Sequence, residues 1–207
     1  MKKIAAALLF SAVSVAPAFA ADAGTAYVNL DYSQVNLGSP SIFGPNGTTS
    51  FANPGAFRIG GGYNFTPNVA VEAGYSIISD STINGSGTVL GFAYTSTETM
   101  KTSSLQVAAV GTYPINEQFD VFGKLGLANN KGDYSCSVTV AGAAVPCTGA
   151  SASKTSVMFG IGGKYNISKA WGIRLQYENL GKVDFTQGGA TQSFKFSAIS
   201  VGGVYNF

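Results

Sequence analysis

The sequence predicts an all-β protein: an eight-stranded antiparallel up-and-down transmembrane β-barrel. Three observations predict it. Eight segments of about ten residues alternate apolar and polar side chains with period two, the length a tilted strand needs to cross hydrocarbon. The connections between these segments alternate short and long. The chain is also apolar and poor in charge, with 11% charged residues against about a quarter in a soluble domain, yet past its N-terminus no stretch resembles a membrane helix. An exported apolar chain without a spanning helix must satisfy its backbone hydrogen bonds between strands and close the sheet.

Export is written at the start. Lys2 and Lys3 precede an apolar run from Ile4 to Val15, and Ala18-Phe19-Ala20 is small at the two positions a signal peptidase reads. The run is too short to span a bilayer, which takes about 20 apolar residues. Residues 1–20 are therefore expected to be a cleaved signal peptide and residues 21–207 an outer-membrane barrel domain. Removing 20 of 207 residues leaves 187, and losing Lys2 and Lys3 from 12 basic residues leaves ten against ten acidic. There is no basic excess to hold nucleic acid.

The strands follow in order. The first sets Ala26, Val28, Leu30 and Tyr32 against Asn29, Asp31 and Ser33. The second sets Phe57, Ile59, Tyr63 and Phe65 against Arg58 and Asn64. The third sets Val69, Val71, Tyr75 and Ile77 against Glu72 and Ser76. The fourth sets Leu105, Val107 and Tyr113 against Ser104 and Gln106. The fifth sets Phe119, Val121, Leu125 and Leu127 against Asp120 and Lys124. The sixth sets Val157, Phe159, Ile161 and Tyr165 against Ser156, Lys164 and Asn166. The seventh sets Trp171, Ile173, Leu175 and Tyr177 against Arg174, Gln176 and Glu178. The eighth sets Ile199, Val201, Tyr205 and Phe207 against Ser200 and Asn206. Charges keep to one parity. In a lipid-embedded barrel that parity is the lumen and the apolar parity meets lipid.

Alternation alone does not separate this from a soluble sandwich, but the connections do. Thr66-Pro67-Asn68, Pro114 to Gln118 and Ser168 to Ala170 are tight; roughly 34–54, 79–101, 129–154 and 180–193 are long, polar loops. Tight turns at one end and long loops at the other are the outer-membrane pattern, with the tight turns facing the periplasm.

A repeat runs through the descending strands: IGGGYNF (59–65), AVGTYPI (109–115), IGGKYNI (161–167) and VGGVYNF (201–207). Each puts a tyrosine beside the tight-turn end. Tyr63, Tyr113, Tyr165 and Tyr205 would form an aromatic girdle at the headgroup level, and Tyr32, Tyr75 and Tyr177 suggest a second toward the long loops. With its signal peptide, eight strands and terminal phenylalanine, the chain resembles the OmpA-like and opacity-type outer-membrane barrel superfamily. The chain stops at Phe207, so it is expected to be a barrel domain only, without the peptidoglycan-binding domain that follows the barrel in full-length OmpA proteins. The resemblance also implies that Ile199, Val201, Tyr205 and Phe207 are the signal read by the barrel-assembly machinery.

The chemistry of the chain points away from catalysis. It contains no histidine, and the lipid-modifying barrels of this size resemble one another in using a histidine base, without which a serine has no ordinary activator. No cofactor or metal is implied. Gly160-Ile161-Gly162-Gly163-Lys164 is not a phosphate loop, because Tyr165 replaces the required Ser or Thr and no helix follows. Inward glycines instead make room for long neighbours in a lumen only just wide enough for side chains.

The inward charges are the main constellation: Arg58, Lys124, Lys164 and Arg174 against Asp31, Glu72, Asp120 and Glu178. Counting from the tight turns places Glu72, Asp120, Lys164 and Arg174 lowest, Asp31 and Lys124 midway, and Arg58 and Glu178 highest, so that each layer balances. Lys164 and Arg174 face each other across the 168–170 turn, which is unfavourable unless an acid intervenes; Glu72, with Glu178 or Asp120, is expected there. The network reads as a packed polar plug, or else as a gated ion path.

Cys136 and Cys147, an even count in an exported chain, argue for a disulfide; a two-thiol metal site is the alternative. The loops expose Ile42, Phe43, Phe51, Val89, Leu90, Phe92 and Tyr94, either for recognition or for mutual packing. The expected role is non-enzymatic: membrane integrity and loop contact with a host surface, a phage or lipopolysaccharide. The alternative is a narrow, low-conductance porin-like channel. The expected partners are outer-membrane lipid, lipopolysaccharide and the assembly machinery.

Overall fold

A computed structural model describes residues 22–37, 54–89, 91–187 and 190–207. The signal segment 1–20 and the loop residues Ile42, Phe43, Phe51 and Leu90 lie outside the described residues. Among those described, nine strands are present: β1 (Thr25–Leu37), β2 (Gly55–Thr66), β3 (Val69–Val89), β4 (Phe92–Pro114), β5 (Phe119–Val140), β6 (Ala143–Val145), β7 (Ala150–Asn166), β8 (Trp171–Gln187) and β9 (Ala190–Asn206). β6 is a three-residue strand folded back on the tip of β5. The other eight pair antiparallel with their chain neighbours, and β1 pairs with β9 to close the ring.

Registered pairs lead once around the ring from Val35 through Ala198, Glu178, Gly160, Lys124, Val110, Ala70 and Asn64 back to Thr25. The sheet therefore closes with a stagger of ten residues (35 − 25). Eight strands at such a stagger tilt steeply and leave a lumen that side chains fill.

The polarity is inside out. Leu30, Ile59, Leu125 and Ile161 are 61–66% exposed on the outer face, whereas Asp31, Glu72 and Arg174 are 1%, 2% and 4% exposed within. A soluble protein would bury the first set; a lipid-facing wall presents it.

Each tight turn is closed by its own side chains. The Thr66 hydroxyl accepts from the Asn68 and Val69 amides, Asn116 Oδ1 accepts from Gln118 and Phe119, and the Ser168 hydroxyl accepts from Trp171. Such caps satisfy backbone groups that a two- or three-residue turn leaves unpaired.

The other end departs from the sequence reading. Of the four long loops, 79–101, 129–154 and 180–193 are largely strand. β3 and β4 stay paired out to Val89–Phe92, β4 and β5 to Tyr94–Val140, and β8 and β9 to Gln187–Ala190. Above the apolar belt both faces of a strand meet water, so Ser, Thr and Gly fill both parities and the period-two signal disappears while backbone pairing continues. For the first long loop, β1 runs to Leu37 and β2 starts at Gly55; residues 38–53 lie outside the described set.

Candidate functional site

The lumen is built in three layers. Nearest the tight turns, Tyr27, Ala70, Val110, Phe122 and Val204 form a buried apolar layer. Toward the long hairpins a second cluster holds Val35, Ile78, Met100, Met158, Leu180 and Phe196, with Met158 and Phe196 at 0% and 1% exposure. Between them lies the charge layer.

Glu72 is its hub. Oε1 accepts from Arg58 Nη2 and from Lys124 Nζ at 2.7 Å; Oε2 accepts from Arg174 Nη1 at 2.8 Å and from the Tyr27 hydroxyl at 2.9 Å. Asp31 completes the ring by taking Arg58 Nη1 at 3.0 Å and Arg174 Nε at 2.8 Å. Lys124 also meets Glu178 at 3.3 Å. Three cations and three carboxylates thus form one connected, neutral cluster. Asp120 holds a separate pair nearer the tight turns, with Lys164 at 3.1 Å and the Asn166 amide at 2.9 Å.

All eight charges named from sequence point into the lumen, but they divide into a neutral cluster of six and a neutral pair rather than the three balanced layers that counting gave. Lys164 and Arg174 are register partners, as expected from the 168–170 turn. They avoid each other by reaching opposite ways, Arg174 up to Asp31 and Glu72 and Lys164 down to Asp120. Arg58, counted among the highest charges, bonds to Glu72, counted among the lowest. Steep strand tilt brings residues of different ordinal height to one level, and long side chains span the remainder.

Inward glycines give this cluster its room. A Cβ on Gly74 would stand 2.6 Å from Arg58 Nε, and one on Gly162 would stand 2.5 Å from Phe122 Cζ and 2.6 Å from the Leu175 carbonyl. On Gly62 and Gly202 it would fall on the Tyr27 ring and the Asp31 carboxylate.

A cavity of about 50 Å³ runs from the hub past the lower apolar layer to the tight-turn mouth, lined by Glu72, Lys124 and Arg174, by Tyr27 and Phe122, and by Pro67. It has room for a few waters and none for a solute.

Tyr27, Phe122, Met158 and Phe196 are the lumen residues that matter and that charge counting passes over. Parity alone singles out Tyr27 and Phe122, which share the inward parity of Asn29 and Lys124. Phe196 belonged to no predicted strand. On the outer wall, Tyr63, Tyr113 and Tyr165 lie exposed near the tight turns, and Tyr205 is half-buried between Trp171 and Phe207, its ring 4.9 and 5.1 Å from theirs. Cys136 and Cys147 are joined in a disulfide, with Cα atoms 5.8 Å apart, and neither thiol remains to hold a metal.

An inside-out ring of this kind narrows the possibilities to lipid-embedded barrels, and the profile of the outer membrane protein beta-barrel domain matches residues 5–207. The chain belongs to that family. This outer-membrane barrel resembles the attachment invasion locus protein Ail of Yersinia pestis (20% identity, 89% of this chain, 99% of that one, TM-score 0.54). It resembles Neisserial surface protein A equally (16% identity, 88% and 97% covered, TM-score 0.53). The N-terminal β-barrel domain of Pseudomonas aeruginosa OprF is a third match (11% identity, 89% and 99% covered, TM-score 0.53). At these identities the likeness is one of fold. No curated protein matches the sequence. The barrel is integral to the outer membrane.

Proposed function

We propose that this outer-membrane barrel is a closed, non-enzymatic scaffold that stiffens the membrane and holds strand hairpins out from the cell for surface contact. The carrying observation is the filled mid-lumen: an ion-paired hub lies between two apolar clusters, while the hairpins continue beyond the belt. From Leu105 to Phe92, β4 alone extends 13 residues further, about 40 Å of strand. Phe92 and the half-buried Tyr94 lie at the tip of that hairpin. Ail, whose structure with the heparin analogue sucrose octasulfate has been determined, shares the fold, and its name speaks of attachment. The tight turns then face the periplasm, with Tyr63, Tyr113, Tyr165 and Tyr205 in the inner headgroup region. The wall of β9 presents Ile199, Val201, Tyr205 and Phe207 as the assembly signal.

A narrow channel is the second reading. Asn29, Gln176 and Ser200 carry buried polar atoms without a protein partner, which gives the charge layer capacity for water. The two readings separate in planar bilayers and on cells. The scaffold shows no steady openings, and replacing residues 80–100 or 131–153 by short turns abolishes attachment to host cells or phage while the barrel still folds. Steady openings whose conductance changes on Lys124→Gln or Arg58→Gln would establish the channel instead.

A further inference from the structure

Beyond the apolar belt, β3, β4 and β5 continue as one paired sheet, and part of its outward face is built from one kind of side chain. Following the parity of Leu105 up β4, the outward positions past Lys101 are Thr99, Thr97 and Thr95. Their register partners on β5 are Ser135, Ser137 and Thr139, and on β3 they are Thr82, Asn84 and Ser86. Three rows across three strands therefore present eight hydroxyls and one amide. Thr99 and Thr139 are half-buried and the other seven are exposed. The opposite face of the same strands is mixed. Met100, Glu98, Ser96 and Tyr94 alternate with the threonines on β4, and Tyr134, Cys136 and Val138 alternate with the hydroxyls on β5. On β3 a bulge sets the phase. The register shifts between Ile78 and Ser81, which brings Thr82 opposite Thr99 and Ser86 opposite Thr95. Without the shift Gly85 would lie opposite Thr95 and leave a gap in the array. A bulge that re-aims a run of side chains is a built feature.

We infer that this hydroxyl face is the contact surface of the hairpins and that it binds an uncharged polysaccharide chain. The inference rests on the attachment reading above and names the chemistry of the partner. A water-facing surface ordinarily carries charge at about a quarter to a third of its positions; none of these nine does. The charges just below are paired with one another, Lys101 with Asp80 at 3.6 Å and Lys131 with Asp133 at 3.3 Å, so the base of the face adds no net charge. On the nine positions a sulfated or phosphorylated chain meets no cation, and an apolar protein surface meets no large apolar side chain. Each hydroxyl both donates and accepts, as each hydroxyl of a sugar does. A neutral glycan therefore exchanges its hydrogen bonds to water for bonds to the face without leaving a charge or a lone donor unmatched. The groups are also held in place. Threonine is stiff at χ1, the Thr97 hydroxyl donates to Asn84 Oδ1 at 3.0 Å, and the Ser135 hydroxyl donates to the Thr99 carbonyl at 3.4 Å. Groups ordered beforehand lose less entropy on binding. The face lies six to ten residues beyond Leu105 (105 − 99 and 105 − 95), roughly 20–33 Å along the strand and past the edge of the apolar belt.

The test uses the folded barrel in nanodiscs of zwitterionic lipid. The probes are three uncharged oligosaccharides, cellohexaose, maltohexaose and N-acetylchitohexaose, with a heparin hexasaccharide as the charged control. The wild-type protein is expected to bind at least one uncharged oligomer at least tenfold more tightly than the heparin oligomer. The variant T95V/T97V/T99V keeps side chains suited to a strand but removes three hydroxyls, and is expected to lose at least tenfold in that affinity. T97K is expected to shift the preference toward heparin, and S96A, on the opposite face, leaves both affinities unchanged. Folding of each is read from its heat-modifiable gel shift. Should the triple variant not fold, T97V and S137A are each expected to lose part of the affinity. Equal sugar binding by the wild type and the valine variant, or no uncharged oligomer bound in preference to heparin, overturns the inference. The attachment reading fails separately, when replacing residues 80–100 by a short turn leaves attachment unchanged. Attachment lost with that hairpin but kept in the valine variant sinks the glycan face alone.

Discussion

Glu72 accepts from three cations and a phenol within a space that excludes bulk water. Replacing it with glutamine leaves Arg58, Lys124 and Arg174 sharing Asp31 and Glu178, so excess positive charge stays buried. Breaking such a network costs on the order of 3–5 kcal/mol. Glu72→Gln should therefore unfold at clearly lower urea in detergent micelles; an unchanged midpoint would show that the cluster does not hold the barrel. Outside the membrane, Asp133 receives the Ser151 hydroxyl at 2.6 Å and lies beside Lys131. These hold its carboxyl below the ordinary aspartate value, the Ser151 hydrogen bond first. A depressed carboxyl pKa stabilises the fold above the unfolded value, and that contribution is lost as pH falls through the folded one. Carboxyl NMR should find the Asp133 midpoint below that of a free aspartate and moved upward by Ser151→Ala. At this scale the sequence was readable in kind: parity placed every lumen charge inside. It did not disclose Glu72 as the common acceptor, because that depends on which side chains reach one another across an 8-stranded ring.

Between strands, the glycines and bulges matter most. Gly162 lies against Phe122 of β5 and the Leu175 carbonyl of β8, so a single methyl there meets both neighbours. Overpacking of this kind costs about 1–3 kcal/mol. Gly162→Ala should lower the unfolding midpoint, and Phe122→Leu in the same chain should restore part of it; full stability in Gly162→Ala would show the wall is looser than it looks. At the hairpin end, Ala141 and Gly142 both have positive φ, 52° and 80°, the conformation of a two-residue hairpin turn, which joins β5 to β6 beside the Cys136–Cys147 bridge. The lipid-crossing halves of the strands were legible because lipid and lumen impose opposite demands on alternate residues. The outer halves were not, since water on both faces removes the contrast and Ser, Thr and Gly pair as well as they loop.

For the molecule as a whole, the question is whether a ring this narrow stays shut. The charge hub and the upper apolar cluster each fill the lumen with side chains, so removing one leaves the other. Met158→Ala with Phe196→Ala should destabilise the barrel by about 2–5 kcal/mol for each large side chain lost, yet planar bilayers should remain free of steady openings. Openings in that double variant would identify the upper apolar layer as the single gate and return the channel to favour. The outer-membrane location and the eight-strand ring were both reached from alternation, connection lengths and low charge, and the match over residues 5–207 agrees with them.

What the amino-acid order determined by itself is the partition of side chains: two-residue periodicity sends apolar groups to lipid and ionised ones inward, whatever the details of closure. What the tertiary structure alone decided is contact. A stagger of ten residues tilts the strands, so that residues far apart in sequence, such as Asp31 and Arg174, meet at hydrogen-bond distance. The same tilt stacks two apolar layers around the charges. Neither consequence can be read along one strand, because each arises from the geometry of closing all eight.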